Sequence, residues 1–226
     1  MKNDMKNHMK TDMKIDLETE FFSGLIELGY GQDVEDQLKK IAEKIDWAKG
    51  WPENNKSFWN AEAFMWNYKI DKIKRKLITE ELAFLQEGRG KNLDLGCGAY
   101  SYIPSVGFDI SEKMLLFNDN CKEKIIGSLE EDLPFKDNLF DSVTAVFVLN
   151  YVKNHQQLLL EIRRVLKEKG IFVAVLYSGT INNWQNQKVV NNYVFSEWRC
   201  ILQKTGFSVE SYEKEKFWFF RCKNKS

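Results

Sequence analysis

The sequence has no net charge and no long apolar run, and each of these absences argues against a class of protein. Its 33 basic and 33 acidic residues cancel to a net charge of zero, which gives no bulk attraction for nucleic acid or an anionic membrane. There is no apolar run of about 18 residues, and the amino terminus lacks the apolar core of a signal peptide. We therefore expect a soluble, cytoplasmic protein without a membrane partner.

Cysteine and histidine are scarce and scattered. The four cysteines lie far apart, at positions 97, 121, 200 and 222, without a CxxC pair and without a nearby histidine that would complete a metal site. Structural zinc requires such clustering. The sequence therefore predicts free thiols in a reducing compartment and no metal.

Helical patterns fill the first 88 residues. The first sixteen repeat a four-residue unit (MKND, MKNH, MKTD, MKID), which predicts a solvated, lysine-rich helix or tail. Two amphipathic helices follow, ending before Gly29 and Gly50, and a third helical region runs from Ser57 to Gly88 with room for a bend. Residues 1–88 are therefore predicted to form a helical cap.

After Gly90 the pattern changes to short apolar runs separated by amphipathic segments. Five runs have the character of buried strands: 92–95, 106–110, 124–126, 142–149 and 171–176. Between the last two runs lies an amphipathic helix over 157–167, the rhythm of a parallel sheet. Near the end, Ser196 is placed to cap a helix over 197–204, and runs at 207–212 and 216–222 predict an antiparallel hairpin. Residues 89–226 therefore predict an α/β domain.

The segment between the first two strands has the features of a nucleoside-binding loop. The first strand ends in Asp94-Leu95, and Gly96 and Gly98 follow it. The second strand ends at Asp109. Glycines allow the backbone to approach a ligand closely, and a carboxylate at this place can accept hydrogen bonds from both ribose hydroxyls. An isolated G-x-G also shapes ordinary turns, so it is the flanking strands that give the motif its meaning.

Six segments resemble, in order and rough spacing, the successive motifs of class I S-adenosylmethionine-dependent methyltransferases of types 11 and 25. They are LDLGCG, GFDISEKML, LEEDLPFKDNLFDSV, VLNYV, EIRRVLKEKG and KTGFSVESY, and together they cover about residues 91–222. The resemblance implies a seven-stranded, mostly parallel sheet with an antiparallel carboxy-terminal hairpin, preceded by the helical cap. It also implies S-adenosylmethionine as the cofactor and methyl transfer as the activity.

The resemblance assigns cofactor roles by position. Asp94, Gly96 and Gly98 would surround the methionine part, and Asp109 would hold the ribose. The remaining cofactor positions cover the adenine and the end of the fourth strand: Ile110, Met114, Ser128, Leu129 and Phe147. Many relatives carry an acid at the Ser128 position, so Ser128 keeps a hydrogen-bonding group without the charge. The apolar members of the set would equally be core residues in any α/β domain.

Two features depart from the family pattern. Tyr100 stands where a third glycine is common, and Gly98 and Asp109 are only eleven positions apart. Pro104 also disfavours a long helix in this gap. We therefore expect a short turn or a single helical turn here, a more open cofactor pocket, and cover from the amino-terminal helices. A nicotinamide dinucleotide motif would need glycine at Ser101, which argues against hydride transfer.

Candidates for the acceptor side follow the later strands. Methyl transfer from a sulfonium is an in-line displacement that depends mainly on alignment, and a base is needed only when the acceptor holds its proton. Asn150 and Tyr151 after the fourth strand, and Tyr177 after the fifth, are placed where open α/β sheets bind ligands. His155 is the candidate base, although Asn154 and His155 together also have the character of a helix start.

The cap supplies candidates for substrate selection. Trp59 and Trp66 are seven residues apart and share one helical face. Their rings could form a lid that attracts the sulfonium or a cationic acceptor, and packing against other helices is the alternative. Arg75 is either a ligand of the cofactor carboxylate or a solvated charge.

Three functional hypotheses follow. The first is a methyltransferase that acts on an N or O atom of a small-molecule acceptor. The second is a tRNA- or RNA-modifying methyltransferase, with the basic run KIDKIKRK at 69–76 as its phosphate-binding face. The third is a non-catalytic module that binds S-adenosylmethionine or its demethylated product, S-adenosylhomocysteine.

Overall fold

The computed structural model describes the backbone of residues 2–88, 90–179 and 183–224, and their side chains except at 2–15, 67, 68, 183 and 184. The chain divides into two compact units, Met1–Asn67 and Tyr68–Ser226, which we name the helical unit and the sheet unit. None of the described helices combines the length and apolar character needed to cross a membrane.

The helical unit is built from three helices: α1 (Lys2–Gly29), α2 (Glu35–Ala42) and α3 (Asn55–Lys69). Helix α1 includes the backbone of the four-residue repeat. Asp16, the last residue of the repeat, is exposed, and the side chains before it lie outside the described residues, so the predicted solvation of the repeat as a whole stays a prediction.

Aromatic side chains form the core of the helical unit. Phe21 meets Trp51 edge-on with ring centroids 5.4 Å apart, and Phe22 stacks on Trp47 at 5.5 Å. Phe64 of α3 packs on Phe22 and also lies 6.0 Å from Trp47. Each such pair contributes about 0.5–1.5 kcal/mol beyond its buried area. These rings therefore join α1, α3 and the segment between α2 and α3.

Helix α4 (Lys72–Gln86) belongs to the sheet unit rather than to the helical unit. The predicted bend in the third helical region is a break, and α4 starts anew where the Asp71 side chain accepts the Lys74 N–H at 2.9 Å. Its buried residues, among them Ile78 and Leu82, pack on β-strand residues such as Val173. The two compact units divide after residue 67, and the domain boundary predicted after residue 88 stays a prediction.

The sheet unit contains one seven-stranded sheet with the order β3-β2-β1-β4-β5-β7-β6. Its strands are β1 (Asn92–Leu95), β2 (Ser105–Asp109), β3 (Cys121–Ile126), β4 (Phe140–Val146), β5 (Leu166–Tyr177), β6 (Phe207–Lys214) and β7 (Phe217–Asn224). The first five strands are parallel, and β7 runs antiparallel between β5 and β6. The predicted fold, including the terminal hairpin, is confirmed.

Among the described residues, four further helices and one 3-10 turn lie in the connections between these strands. They are α5 (Glu112–Phe117), the 3-10 turn Leu149–Tyr151, α6 (His155–Val165), α7 (Asn183–Asn186) and α8 (Phe195–Lys204). Along β5, Phe172 and Leu176 join the core that contains α6 and α8, while Val173 and Val175 join the core under α4. Burial on both faces explains the continuous apolar run of this strand.

The start of α8 differs from the prediction that Ser196 caps it. The helix begins at Phe195, two residues before the predicted start at position 197, so Ser196 lies in its first turn. The Glu197 carboxylate reaches back and accepts the Val194 N–H at 2.8 Å. An acidic side chain in the first turn also meets the positive end of the helix dipole, which makes Glu197 the residue that stabilises this end.

Candidate functional site

The strand order reverses between β1 and β4, and open α/β sheets bind ligands in the crevice at such a point. Gly96 follows β1 with φ +59°, and a side chain there would place its Cβ 2.7 Å from Val148, two residues beyond β4. Glycine is therefore required both by the left-handed backbone and by the close approach of the two strand ends.

The connection from β1 to β2 contains no helix. Residues 96–104, all of which are described, form turns and bends, which confirms the predicted short crossover. The N–H groups of Gly96 and Cys97 both donate to the Phe108 carbonyl, at 2.7 and 3.3 Å. The glycine loop therefore folds back onto the end of β2.

Asp109 lies at the end of β2 and joins the glycine loop to the next helix. Its Oδ2 accepts the Gly98 N–H at 2.9 Å, and its Oδ1 accepts the Ser111 N–H at 2.8 Å. Burial raises the pKa of Asp109 to about 6, against the opposing effect of these N–H groups. Each carboxylate oxygen can accept more than one hydrogen bond, so the carboxylate of Asp109 is suited to a pair of ribose hydroxyls as well as to these backbone N–H groups.

Asp94 is the second buried carboxylate of this region. Its Oδ2 accepts the Ser101 hydroxyl at 2.6 Å, and its Oδ1 accepts the Thr144 hydroxyl at 2.8 Å. Burial raises the pKa of Asp94 to about 6, and the charge of Asp109 adds to the increase. In the sequence, Ser101 was noticed only as a position that lacks glycine, and Thr144 only as part of a strand. Their roles as partners of Asp94 were missed.

Asn118 directly follows α5, and its side chain forms hydrogen bonds with the backbone of the glycine loop. Its amide nitrogen donates to the Gly98 carbonyl at 2.9 Å, and its amide oxygen accepts the Ser101 N–H at 3.2 Å. The side chain is fully buried. Because Asn118 comes 20 residues after Gly98 in the chain, no local pattern marks it as part of the loop.

A buried polar network surrounds Asn92 of β1. The Asn92 amide nitrogen donates to the hydroxyls of Ser105 and Thr144, at 2.8 and 2.9 Å. The Asn92 amide oxygen accepts from Gln86 of α4 and from Ser142, both at 2.8 Å. Buried polar groups are tolerated when each has partners. Here the network links the end of α4 to β1, the strand that carries Asp94.

The predicted adenine positions lie around the ends of β2 and β3. Met114 is buried in α5, whose first turn is capped by Ser111, and Ile110 is partly buried beside it. The Gly127 N–H donates to the Asp109 carbonyl at 3.0 Å, which brings the chain after β3 to the ribose acid. Ser128 and Leu129 follow directly. The Ser128 hydroxyl accepts the Glu130 N–H at 3.1 Å, and Leu129 packs on the main core.

Phe147 ends β4 in a left-handed conformation, with φ +61°. The sequence pattern had extended this strand to Leu149, and the turn at Phe147 stops it at Val146. A bulky residue in this region costs about 1–3 kcal/mol. The Phe147 ring lies 5.7 Å from Phe217, and the Tyr177 ring lies 5.5 Å from the same ring. Two predicted site residues therefore share one aromatic corner at the carboxyl ends of β4 and β5.

Asn150 and Tyr151 form the 3-10 turn that follows Phe147. The Asn150 carbonyl accepts the N–H groups of Val190 and Asn191, at 2.9 and 3.1 Å. The Asn191 amide in turn donates to the carbonyls of Leu149 and Val152, at 3.1 and 2.6 Å. The segment before α8 therefore fixes the turn from two sides.

His155 is the first residue of α6, which agrees with the helix-start interpretation of Asn154 and His155. Its ring is 7% exposed and meets Tyr193 and Trp198 edge-on, at 5.6 and 5.5 Å. Burial lowers the pKa of His155, against the opposing effects of the Lys153 backbone and Glu130. The imidazole is therefore neutral at neutral pH.

Trp59 and Trp66 share a face of α3, as the spacing predicted, with their rings edge-on at 6.3 Å. Both are partly buried in the helical unit. Their use as a lid stays a prediction. In the part of the chain with described side chains, no three acidic, cysteine or histidine residues are grouped as metal ligands, and the four cysteines are free thiols.

Comparison with known proteins agrees with this geometry. Residues 93–174 match the family model described as a methyltransferase domain. The chain is 31% identical over 168 residues to a demethylmenaquinone methyltransferase of Listeria welshimeri, which covers 65% of this chain and 68% of that protein. A human mitochondrial arginine-hydroxylase is 33% identical over 98 residues, or 38% of this chain and 28% of that protein.

Other relatives and a solved structure complete the comparison. The chain spans 60% and 49% of the length of two proteins of Methanocaldococcus jannaschii. An S-adenosylmethionine-dependent methyltransferase of Thermotoga maritima has the same fold, with a TM-score of 0.54 and 18% identity over 74% of this chain and 100% of that one. The ordered motifs, the sheet and these matches agree, and the chain belongs to the class I S-adenosylmethionine-dependent methyltransferase family, whose cofactor is S-adenosylmethionine.

Proposed function

We propose that this protein transfers the methyl group of S-adenosylmethionine to an N or O atom of a small-molecule acceptor by in-line displacement. The observation that carries the proposal is the joining of the glycine loop to the ribose acid, through the 2.9 Å hydrogen bond from the Gly98 N–H to Asp109. That joined pair stands beside the point where the strand order reverses.

The residues present fit this cofactor. Asp109 can accept hydrogen bonds from ribose hydroxyls. Gly96 has no side chain, so its backbone is accessible at a place where a Cβ would collide with Val148. Ile110 and Met114 supply apolar surface for the adenine. Further contacts are assigned to Asp94, Gly98, Ser128, Leu129 and Phe147.

The acceptor is assigned to the corner formed by Phe147 and Tyr177 at the ends of β4 and β5. The bound cofactor supplies a methyl group that is already activated by its positive sulfur, so the protein contributes orientation and exclusion of water. Asn150 and Tyr151 lie in the adjoining turn, where an amide or phenol can orient an acceptor by hydrogen bonding. The turn is held in place by Val190 and Asn191, which supports a positioning role for this segment.

His155 is assigned to packing at the start of α6 rather than to proton transfer. A neutral imidazole could accept a proton, and for this reason the sequence suggested a base. Its burial between Tyr193 and Trp198 supports the packing role. An acceptor that is deprotonated at working pH needs no base.

The helical unit is proposed to select the acceptor, with Trp59 and Trp66 as the contacting pair. Both rings are partly exposed on one face of α3, which supports a role beyond the core of the unit. Aromatic faces attract cationic groups by about 0.5–2 kcal/mol per contact.

The ion pairs of the basic run 69–76 support the proposal of a small-molecule acceptor over that of RNA. Lys74 pairs with Asp71 at 3.3 Å, and Lys76 pairs with Glu80 at 3.8 Å. Exposed Ile73 interrupts the run. Phosphate binding depends on uncompensated lysine and arginine charge, and these lysines have acidic neighbours.

Radiolabelled S-adenosylmethionine tests the proposal directly. The protein is incubated with the labelled cofactor and, in separate reactions, with a panel of amines and hydroxyl compounds and with bulk tRNA. Label on a small acceptor, together with S-adenosylhomocysteine, is the expected result, and the Asp109→Ala variant, which should label the acceptor more slowly at low cofactor concentration, serves as the control. Label on tRNA would replace the proposal by the RNA-modifying function, and cofactor binding without turnover would favour a non-catalytic module.

A further inference from the structure

Two of the four cysteines lie side by side at the glycine loop. Cys97 stands between Gly96 and Gly98, and Cys121 is the first residue of β3. A Cβ on Gly107 of β2 would lie 2.9 Å from the Cys97 sulfur and 2.3 Å from the Cys121 sulfur. Both sulfurs therefore occupy the space that Gly107 leaves free, and the two thiols are hydrogen-bonded neighbours.

The surroundings make the two thiols unequal. Hydrogen bonding to Cys121, burial and nearby carboxylates raise the pKa of Cys97. Hydrogen bonding from Cys97 lowers the pKa of Cys121, against the effect of burial. Cys121 also lies in β3, at an edge of the sheet, and is 9% exposed. Ionisation is therefore favoured at Cys121, and the thiolate is the reactive form of cysteine.

We propose that Cys97 and Cys121 form an oxidative modification site, at which a peroxide converts the two thiols into a disulfide and thereby weakens cofactor binding. The Cys121 thiolate attacks one oxygen of hydrogen peroxide, so that the O–O bond breaks, hydroxide leaves and Cys121 becomes a sulfenic acid. The Cys97 sulfur then attacks the Cys121 sulfur, the S–O bond breaks, and the oxygen leaves as water with the Cys97 proton. Two thiols and one peroxide thus give one disulfide and two waters.

The disulfide changes the glycine loop rather than the strand. Its sulfurs are about 2 Å apart, closer than two thiols come without a bond. The backbone of Cys121 is held by its pairing with Ser105 of β2, whereas Cys97 is flanked by two glycines with positive φ. The shift therefore falls on the loop and displaces the Gly98 N–H from Asp109. This step rests on the proposed function, since it requires the cofactor to occupy the loop.

Peptide mapping tests the chemistry, and calorimetry tests its consequence. The full chain is treated with hydrogen peroxide, the excess is removed with catalase, and free thiols are alkylated. Trypsin then leaves Cys97 in the peptide 92–113 and Cys121 in the peptide 114–122, so linkage of these two peptides identifies the disulfide. The affinity for S-adenosylhomocysteine is measured before oxidation, after oxidation, and after reduction with dithiothreitol.

The linked peptides should form, and the affinity should fall by about 10-fold or more, because the loop loses a hydrogen bond to a buried carboxylate. Dithiothreitol should restore the affinity. Cys121→Ser should bind as tightly as the unaltered protein and should keep its affinity after peroxide, because it cannot form the disulfide. Cys200→Ser removes an exposed thiol outside the pair and should stay sensitive to peroxide.

Three results would overturn the inference alone: no linkage of the two peptides, a disulfide that leaves the affinity unchanged, or an equal loss of affinity in Cys121→Ser. The third would trace the loss to another side chain. If the reduced, unaltered protein does not bind S-adenosylhomocysteine, the proposed function fails as well. If Cys121→Ser does not fold, Cys121→Ala decides by the same comparison.

Discussion

The Gly98 N–H donates to Oδ2 of Asp109 at 2.9 Å, so the glycine loop and the ribose acid form one hydrogen-bonded unit. The loop is therefore not an independent turn beside the acid. Its conformation depends on a carboxylate that is buried and whose pKa lies near 6. Cofactor binding, pH and the fold of the loop are thereby linked through two residues.

The Asp109→Ala variant should bind S-adenosylhomocysteine about 1–3 kcal/mol more weakly, because the loop N–H and the ribose hydroxyls lose their acceptor. Calorimetry gives the change directly. Asp119→Ala, which alters an exposed acid in the same region, should have no effect. A folded Asp109→Ala protein with unchanged affinity would contradict the assignment.

Acidification through about pH 6 should weaken cofactor binding, because the pKa values of Asp94 and Asp109 are both raised to about 6. Below that pH a protonated Asp109 no longer offers all its acceptor sites to the ribose and the loop. The affinity is measured by calorimetry from about pH 5 to 8, in buffers of equal ionic strength. A flat profile would show that Asp109 is ionised throughout.

The stability of the cofactor-free protein should depend on pH in the opposite sense to cofactor binding: it should fall as the pH rises. A raised pKa in the folded state means that the contribution of these two groups to stability is present in full below their ordinary pKa. It is lost as the pH rises through about 6. The expected result is that S-adenosylhomocysteine raises the melting temperature more at about pH 7.5 than at about pH 5. An equal rise at both values would rule out this linkage.

Ser101→Ala should lower the free energy of unfolding by about 1.5–3 kcal/mol at neutral pH, because it removes a hydrogen bond to a buried charge. The loss concerns Asp94, whose Oδ2 accepts the Ser101 hydroxyl. Urea unfolding followed by circular dichroism measures it. Ser196→Ala is the control, since that serine is exposed in α8 and does not cap the helix. If the two variants had equal free energies of unfolding, the hydrogen bond from Ser101 to Asp94 would not contribute to stability.

His155→Phe should retain turnover within about twofold, because the ring contacts with Tyr193 and Trp198 are kept. Rates are measured with the acceptor found in the labelling screen. A fall of about 100-fold or more, with an unchanged melting temperature, would instead identify His155 as the base.

The four thiols should react unequally in the native protein. Cys200 is exposed, whereas Cys97, Cys121 and Cys222 are buried, and burial raises the pKa of Cys222. Titration with a coloured disulfide reagent should show one fast thiol, which Cys200→Ser removes. A second fast thiol would show that the glycine loop opens on the timescale of the reaction.

Local patterns were sufficient for most of the fold. Gly96 and Gly98 were recognised because they lie between two strand-like runs that end in acids, and in the structure both have the left-handed backbone that favours glycine. The short path from Gly98 to Asp109, with Pro104 inside it, excluded a first crossover helix. The structure has none in residues 96–104.

Tertiary contacts decided the rest of the site. Ser101, Asn118 and Thr144 support the loop through hydrogen bonds that join distant parts of the chain, and a polar residue in isolation carries no sign of such a partner. The same holds for Arg75, whose position on Tyr100 depends on how α4 packs on the sheet. The beginning of α8 depends on the reach of Glu197 rather than on the serine beside it.

The sequence by itself determined the order of strands and helices, the place of the glycine loop and the family, because these follow from periodicity and from motifs within a few residues. Only the tertiary structure decided which side chains hold Asp94 and Asp109, and with which unit α4 belongs. The physical reason is distance along the chain. Burial and hydrogen bonding join residues that folding alone brings together, and their free energies depend on partners that no local pattern specifies.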